Sequence, residues 1–229
     1  MKTFLFFDVE TTGFPDNWAE PITNVGNWPE IVQIGWQKTD ESGLLLSSSE
    51  LIIKPKGYII PQKSTDIHGI TTAHALEVGT NWTTAAALFA SEFAPAPNGR
   101  EKEEVVLVAH NMSFDKRVVG SRLYSLGGIA TSVWLAEFNS LPEICTMKAS
   151  TNYCALPNKE VKGKVKGGYK YPQLKELYFK IFGVYPENQH SAGGDVDATR
   201  KAFFKLVERG IIKLEKPKQV MPAKPLTLF

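Results

Sequence analysis

Apolar and polar residues change period several times along this chain, and each change marks an element. Near the start, FLFFDVE runs apolar and aromatic before ending in acids, the pattern of a buried strand. Residues 11–29 are rich in Thr, Gly, Pro and Asn and predict a long loop. EIVQIGWQ (30–37) and LLLSSSELIIK (44–54) read as two more strands joined at Asp40-Glu41-Ser42-Gly43, so an antiparallel meander of three strands is expected. From Pro61 to Phe93 the pattern turns helical, with Thr83 and Thr84 as candidate caps before AAALFASEF. A polar break at 95–104 precedes VVLVAH (105–110), a strand of the kind buried between helices. Further helices are expected from Ser113 to Leu126, with Phe114, Val118 and Leu126 inward, from Leu174 to Phe182 and from Asp195 to Val207. Strands first, then strand alternating with helix, predict an α/β fold with a central mixed sheet flanked by helices.

A chain of 229 residues suits one such domain, 1–212, followed by a Pro/Lys-rich tail, 213–229. Lys and Arg number 26 against 24 Asp and Glu, so any nucleic-acid contact must come from a local patch rather than from net charge. Cys145 and Cys154 lack CxxC spacing, which argues against a thiolate zinc site and a disulfide framework and points to the reducing cytoplasm. Lys2 and TFLFF open like an export signal, but Asp8 and Glu10 cut the apolar run short, and no run approaches the ~18 residues of a membrane span. A soluble, cytoplasmic protein without membrane contact is expected.

Asp8 and Glu10, two apart on a strand, leave the same face while Val9 points the other way. Side by side at the end of an apolar strand they repel each other, and they are costly to desolvate without a cation between them. The plainer reading is a strand running out into solvent. Thr11, Thr12 and Gly13 follow, small groups that let backbone approach a ligand. Asp115 lies near a helix start, where complementing the helix dipole is a sufficient role. His190 and Asp195 flank Ser-Ala-Gly-Gly before the last helix, where a surface histidine and another cap are the plain alternatives.

Together FFDVETTG, LVAHNMSFD and HSAGGDVDAT resemble the three acidic motifs of the DEDD 3′–5′ exonucleases, in the histidine-bearing branch that includes the proofreading ε subunit of the bacterial replicative polymerase. IHGIT (67–71), ICTM (144–147) and YPQLKELY (171–178) fit as well, so the resemblance runs in order from about Thr3 to Val207. It implies an RNase H-like fold and a metal-dependent 3′–5′ exonuclease that releases nucleoside 5′-monophosphates from single-stranded DNA ends, in replication proofreading or repair. It also implies two Mg²⁺ or Mn²⁺ ions on Asp8, Glu10, Asp115 and Asp195, with His190 as the base that deprotonates water. Relatives carry a large apolar residue after the motif's Ala, whereas Gly193 and Gly194 follow Ala192 here, which predicts a mobile loop.

For the substrate, Thr11, Thr12 and Gly13 are expected at the terminal nucleotide, and Phe14, His68 and Phe114 at the bases. Phe114 reads equally as core, and Asn111 as a strand contact or a helix cap. Lys159, Lys162, Lys164, Lys166 and Lys170 either track phosphates or form a solvated loop. The terminal PLTLF resembles the peptide by which replication proteins dock on the sliding clamp, through Leu226, Leu228 and Phe229; the alternative is a tail folded back on an apolar patch. Two rival functions remain at this level, an exoribonuclease with the same chemistry and a non-catalytic nucleic-acid-binding adaptor.

Overall fold

The computed structural model describes residues 2–94, 103–158, 160–161, 164–165, 168–187 and 189–214. β1 (Lys2–Thr11) organises it. Its side chains alternate between two cores. Phe4 and Phe6 pack with Phe203 of the last helix, while Leu5, Phe7 and Val9 join Phe89 and Phe138 on the opposite face. Phe4, Leu5, Phe6 and Phe7 are fully buried, each worth roughly 1.5–3 kcal/mol, which holds the strand in place despite the carboxylates at its end.

β1 pairs antiparallel with β2 (Ile31–Asp40), and β2 with β3 (Leu45–Ile52), which is the expected meander. On its other side β1 pairs in parallel with β4 (Glu104–Ala109), and β4 with β5 (Glu143–Cys145). The sheet order is therefore β3-β2-β1-β4-β5, a mixed sheet. Three short helices, α1 (Gln62–His68), α2 (Thr72–Val78) and α3 (Trp82–Ala90), follow β3. α4 (Met112–Leu126) and α5 (Ile129–Ser140) join α3 over the Phe7 face. α6 (Thr146–Cys154), α7 (Leu174–Phe182) and α8 (Ala192–Glu208) cover the Phe4 face. The parallel strands β1 and β4 end at one edge of the sheet, the place where open α/β sheets present their sites.

Several local expectations change. Thr83 and Thr84 lie inside α3, whose N-cap position is Asn81. In that first turn the Trp82 ring N–H donates to the Arg122 carbonyl of α4, 2.9 Å away, a long-range bond that local sequence does not announce. α5 and α6 carry too weak a pattern to be foreseen; of the twelve residues of α5 only Thr131 and Phe138 are buried. α8 begins three residues before Asp195, so Gly193 and Gly194 belong to its first turn and not to a mobile loop. β6 (Glu160–Val161) and β7 (Lys164–Val165) form a small hairpin. Lys159, Lys162 and Lys166 lie outside the described residues, and Lys170 pairs with Glu176 of α7 at 2.5 Å. Leu214 still packs against the Phe4-side core, and residues 215–229, with the clamp-type peptide Leu226, Leu228 and Phe229, lie outside the described residues. Among the described residues no helix is long and apolar enough to cross a membrane.

Candidate active site

Three elements bring carboxylates to the end of β1. Asp8 and Glu10 project from the face that α8 covers, and Asp195 arrives in the first turn of α8. Carboxylate oxygens of Asp8, Glu10 and Asp195 lie within 4.8 Å of one another. Asp115 comes from the opposite side, in α4, and is almost fully buried. Its Oδ1 accepts the Val9 N–H at 3.3 Å, which anchors the residue to β1, and its carboxylate also meets its own backbone N–H in the first turn of α4, where it complements the helix dipole. The N-cap position of α4 belongs to Asn111, in the left-handed conformation at φ 74°. The Asn111 side chain makes no capping bond; its Oδ1 accepts from Ser113 Oγ at 3.2 Å.

The electrostatics follow from this crowding. Burial first, then the charges of Asp115, Asp195 and Glu10, push the Asp8 carboxyl well above the usual carboxylate range. Burial and Asp195 raise Glu10 to about 7. Asp115 rises to about 8, chiefly by burial, although the Val9 N–H opposes the shift. Burial raises Asp195 too, against the opposing pull of the His190 charge and backbone N–H. Among the described residues no lysine or arginine is paired with any of the four. An all-oxygen donor set this close together, with no lysine or arginine among the described residues to balance it, fits a hard divalent cation.

His190 sits in the turn before α8 with φ 65°, exposed, and its backbone N–H donates to Asp195 Oδ2 at 3.3 Å. The imidazole is exposed and near enough to Asp195 for its charge to act on that carboxyl. His110, within LVAHNMSFD, is buried and bonded at both ring nitrogens, which no local pattern signals. Its Nε2–H donates to the Pro172 carbonyl and its Nδ1 accepts from Thr146 Oγ1, both at 3.0 Å. Burial pulls it down to about 4, so it stays neutral and ties β4, α6 and the segment before α7 together.

Around the acids, Thr11 Oγ1 donates to the Gly13 carbonyl at 2.7 Å, and Thr12 Oγ1 accepts the Glu30 N–H at 3.0 Å, which shapes a fixed turn. His68 Nδ1 accepts the Ile70 N–H; its Nε2 is buried without a well-formed hydrogen bond and faces the Thr11 backbone. Phe14 is 76% exposed, its ring 5.8 Å from that of Phe114, which in turn lies 5.9 Å from Trp18. Phe114 packs partly against the core and partly in an aromatic row with Phe14 and Trp18. Trp18 had no sequence signal, because only the fold of the 11–29 loop carries it to Phe114.

No family model and no curated protein matches this sequence. Solved structures do match its fold. E. coli exonuclease I in complex with a dT13 oligonucleotide superposes with a TM-score of 0.66 at 23% identity, over 91% of this chain and 41% of that one. A product-bound exonuclease I structure gives 0.64 at 19% identity, over 92% of this chain and 45% of that one. An apo exonuclease I structure gives 0.63 at 19% identity, over 91% and 42%. The chain thus spans less than half the length of these exonuclease I chains. The likeness establishes the α/β, RNase H-like fold with its five-stranded mixed sheet between helices.

Proposed function

We propose that this chain is a divalent-cation-dependent 3′–5′ exonuclease that removes nucleoside 5′-monophosphates from single-stranded DNA ends, the activity that proofreading and repair require. One observation carries the reading: Asp8, Glu10 and Asp195 converge within 4.8 Å on a fold shared with exonuclease I, with Asp115 buried beside them. The exonuclease I structures hold dT13 and dA16, which favours DNA over RNA as the strand.

Two Mg²⁺ or Mn²⁺ ions on the four carboxylates would supply Lewis acidity and the positive charge that a polyanionic substrate needs in so acidic a pocket. The residues of the chain do the rest. Asp115, fixed by the Val9 N–H, and Asp195, tethered to the His190 N–H, hold their carboxylates at set positions against β1. His190, exposed on a turn, takes a proton from the attacking water. The turn at Thr11, Thr12 and Gly13 supplies close backbone approach to the terminal nucleotide, His68 stands behind it, and Asn111 offers an amide beside the strand. Phe14, Phe114 and Trp18 form a row on which unpaired bases stack without sequence preference.

The test uses 5′-labelled single-stranded DNA and RNA with Mg²⁺, with Mn²⁺ and with EDTA. Stepwise shortening of the DNA from its 3′ end, stopped by EDTA, is expected. Internal cuts, or equal cleavage in EDTA, would sink the proposal, and a preference for RNA would reassign the substrate. Replacing Phe14 and Trp18 by Ala should then raise KM, since each stacked base is worth ~1–3 kcal/mol.

A further inference from the structure

The first turn of a helix leaves backbone N–H groups with no partner inside the helix. In α8 those groups are answered from unusual places. The Gly194 N–H meets Ser191 Oγ at 3.1 Å, an ordinary cap. The Ala192 N–H donates instead to Gln33 Oε1 of β2 at 2.9 Å, and the Gly193 N–H to Glu50 Oε1 of β3 at 3.0 Å. Gln33 Nε2 also donates to Glu50 Oε1, at 2.9 Å, so the two side chains form one bracket.

Sheet register explains why the bracket reaches. Asp8, Gly35 and Glu50 lie directly across from one another on β1, β2 and β3, and Gln33 lies across from Glu10. Side chains in such a row share a face. Gly35 opens a gap in that row, and the start of α8 fills it. A Cβ on Gly35 would stand 2.7 Å from the Ala192 carbonyl carbon, and one on Gly193 would stand 2.6 Å from a Glu50 carboxylate oxygen. Two glycines and two polar side chains therefore set how deeply the first turn of α8 sits on the sheet. Asp195, which must reach Asp8 and Glu10, hangs from that turn two residues after Gly193.

We infer that Gln33 and Glu50 are positioning residues for the nuclease site: they dock the first turn of α8 on the sheet and so hold Asp195, and His190 before it, against Asp8 and Glu10. This inference rests on the nuclease reading above. Glu50 acts as a hydrogen-bond acceptor of fixed reach rather than through its charge, because both its bonds converge on one oxygen that a glutamine also possesses.

The experiment compares wild type, Glu50→Gln, Glu50→Asp and Glu50→Ala by kcat and KM on 5′-labelled single-stranded DNA, with calorimetric Mn²⁺ binding and thermal unfolding alongside. Glu50→Gln should keep most of the activity. Glu50→Asp, charged but too short, and Glu50→Ala should lose ~10–100-fold in kcat with KM little changed, the range that partners of metal ligands usually cost. Mn²⁺ affinity should fall in the same two variants and not in Glu50→Gln. If Glu50→Gln is as impaired as Glu50→Asp, charge is what matters and the inference is overturned. Near-wild-type kcat and Mn²⁺ affinity in all folded variants overturns it too. A wild type that binds Mn²⁺ yet leaves DNA intact defeats the nuclease reading instead, while the Mn²⁺ comparison still decides the role of the bracket.

Discussion

Asp195 and Asp197 leave α8 two residues apart, on two sides of one helix. Asp197 is held by Arg200 at 2.7 Å and Lys201 at 2.6 Å, and their contacts bring its carboxyl below the usual range despite partial burial. Asp195 shares its surroundings with Asp8, Glu10 and Asp115 and is raised by burial, with only His190 pulling the other way. The helix is the same and the residue type is the same. A carboxylate that the fold intends as structure is given cations of its own, whereas one kept buried among other acids is costly until a cation from outside completes it. The contrast separates the working face of α8 from its supporting face, and experiment can press on it.

The largest effect is expected from exchanging each aspartate for asparagine. Asp195→Asn should remove cleavage almost entirely, beyond the ~10–100-fold that residues behind the ligands cost, and Asp197→Asn should cleave like wild type. Equal losses would erase the distinction. His190, on the working face, comes next: His190→Ala should reduce kcat by ~10²–10⁴-fold with little change in KM under single-turnover conditions. A loss of only a few fold would leave the proton transfer to water alone.

A third test reads stability. In EDTA the acids gathered at the working face of α8, Glu10 from β1 and Asp115 from α4 among them, hold protons more tightly when folded than when unfolded, with Glu10 raised to about 7 and Asp115 to about 8. Their contribution is fully present below the ordinary carboxylate range and is lost as pH rises toward 8, so the metal-free Tm should fall between about pH 4.5 and 8. Each ~1 kcal/mol moves the Tm of a domain this size by ~2–4 °C. Mg²⁺ should flatten that slope, and a metal-free Tm that rises over this interval would contradict the raised carboxyls, burial first and neighbouring charge second. Asp197, lowered in the folded state, has the opposite sign: its contribution is present above the ordinary range and lost as pH falls through the folded value. Asp197→Ala should therefore give the smallest effect, ~0.2–1 kcal/mol at neutral pH, as partly exposed ion pairs do.

Local chemistry made much of this legible in advance. Five consecutive buried residues before Asp8 read as strand, the meander followed from its turn residues, and α7 was expected with its observed limits because its apolar stripe is strong. The spacing of Asp8 and Glu10 placed both on one face, and residues two apart on a helix point ~200° apart, so Asp195 and Asp197 cannot both join them; the fold brings Asp195. Such features depend on neighbours along the chain, so a sequence carries them openly.

What only the tertiary structure decided are relations between distant segments. That Asp115 is also fixed by the Val9 amide, that Trp18 reaches Phe114, and that His110 is a buried tie all depend on contacts across dozens of residues. The clearest case is Gly193-Gly194, which by propensity alone predict a loose loop. Gly35 makes room for them, Gln33 and Glu50 accept the amide hydrogens of Ala192 and Gly193, and the segment becomes the ordered start of α8. Propensity is a small free energy per residue, and partners more than a hundred residues away, brought near by sheet register, outweigh it.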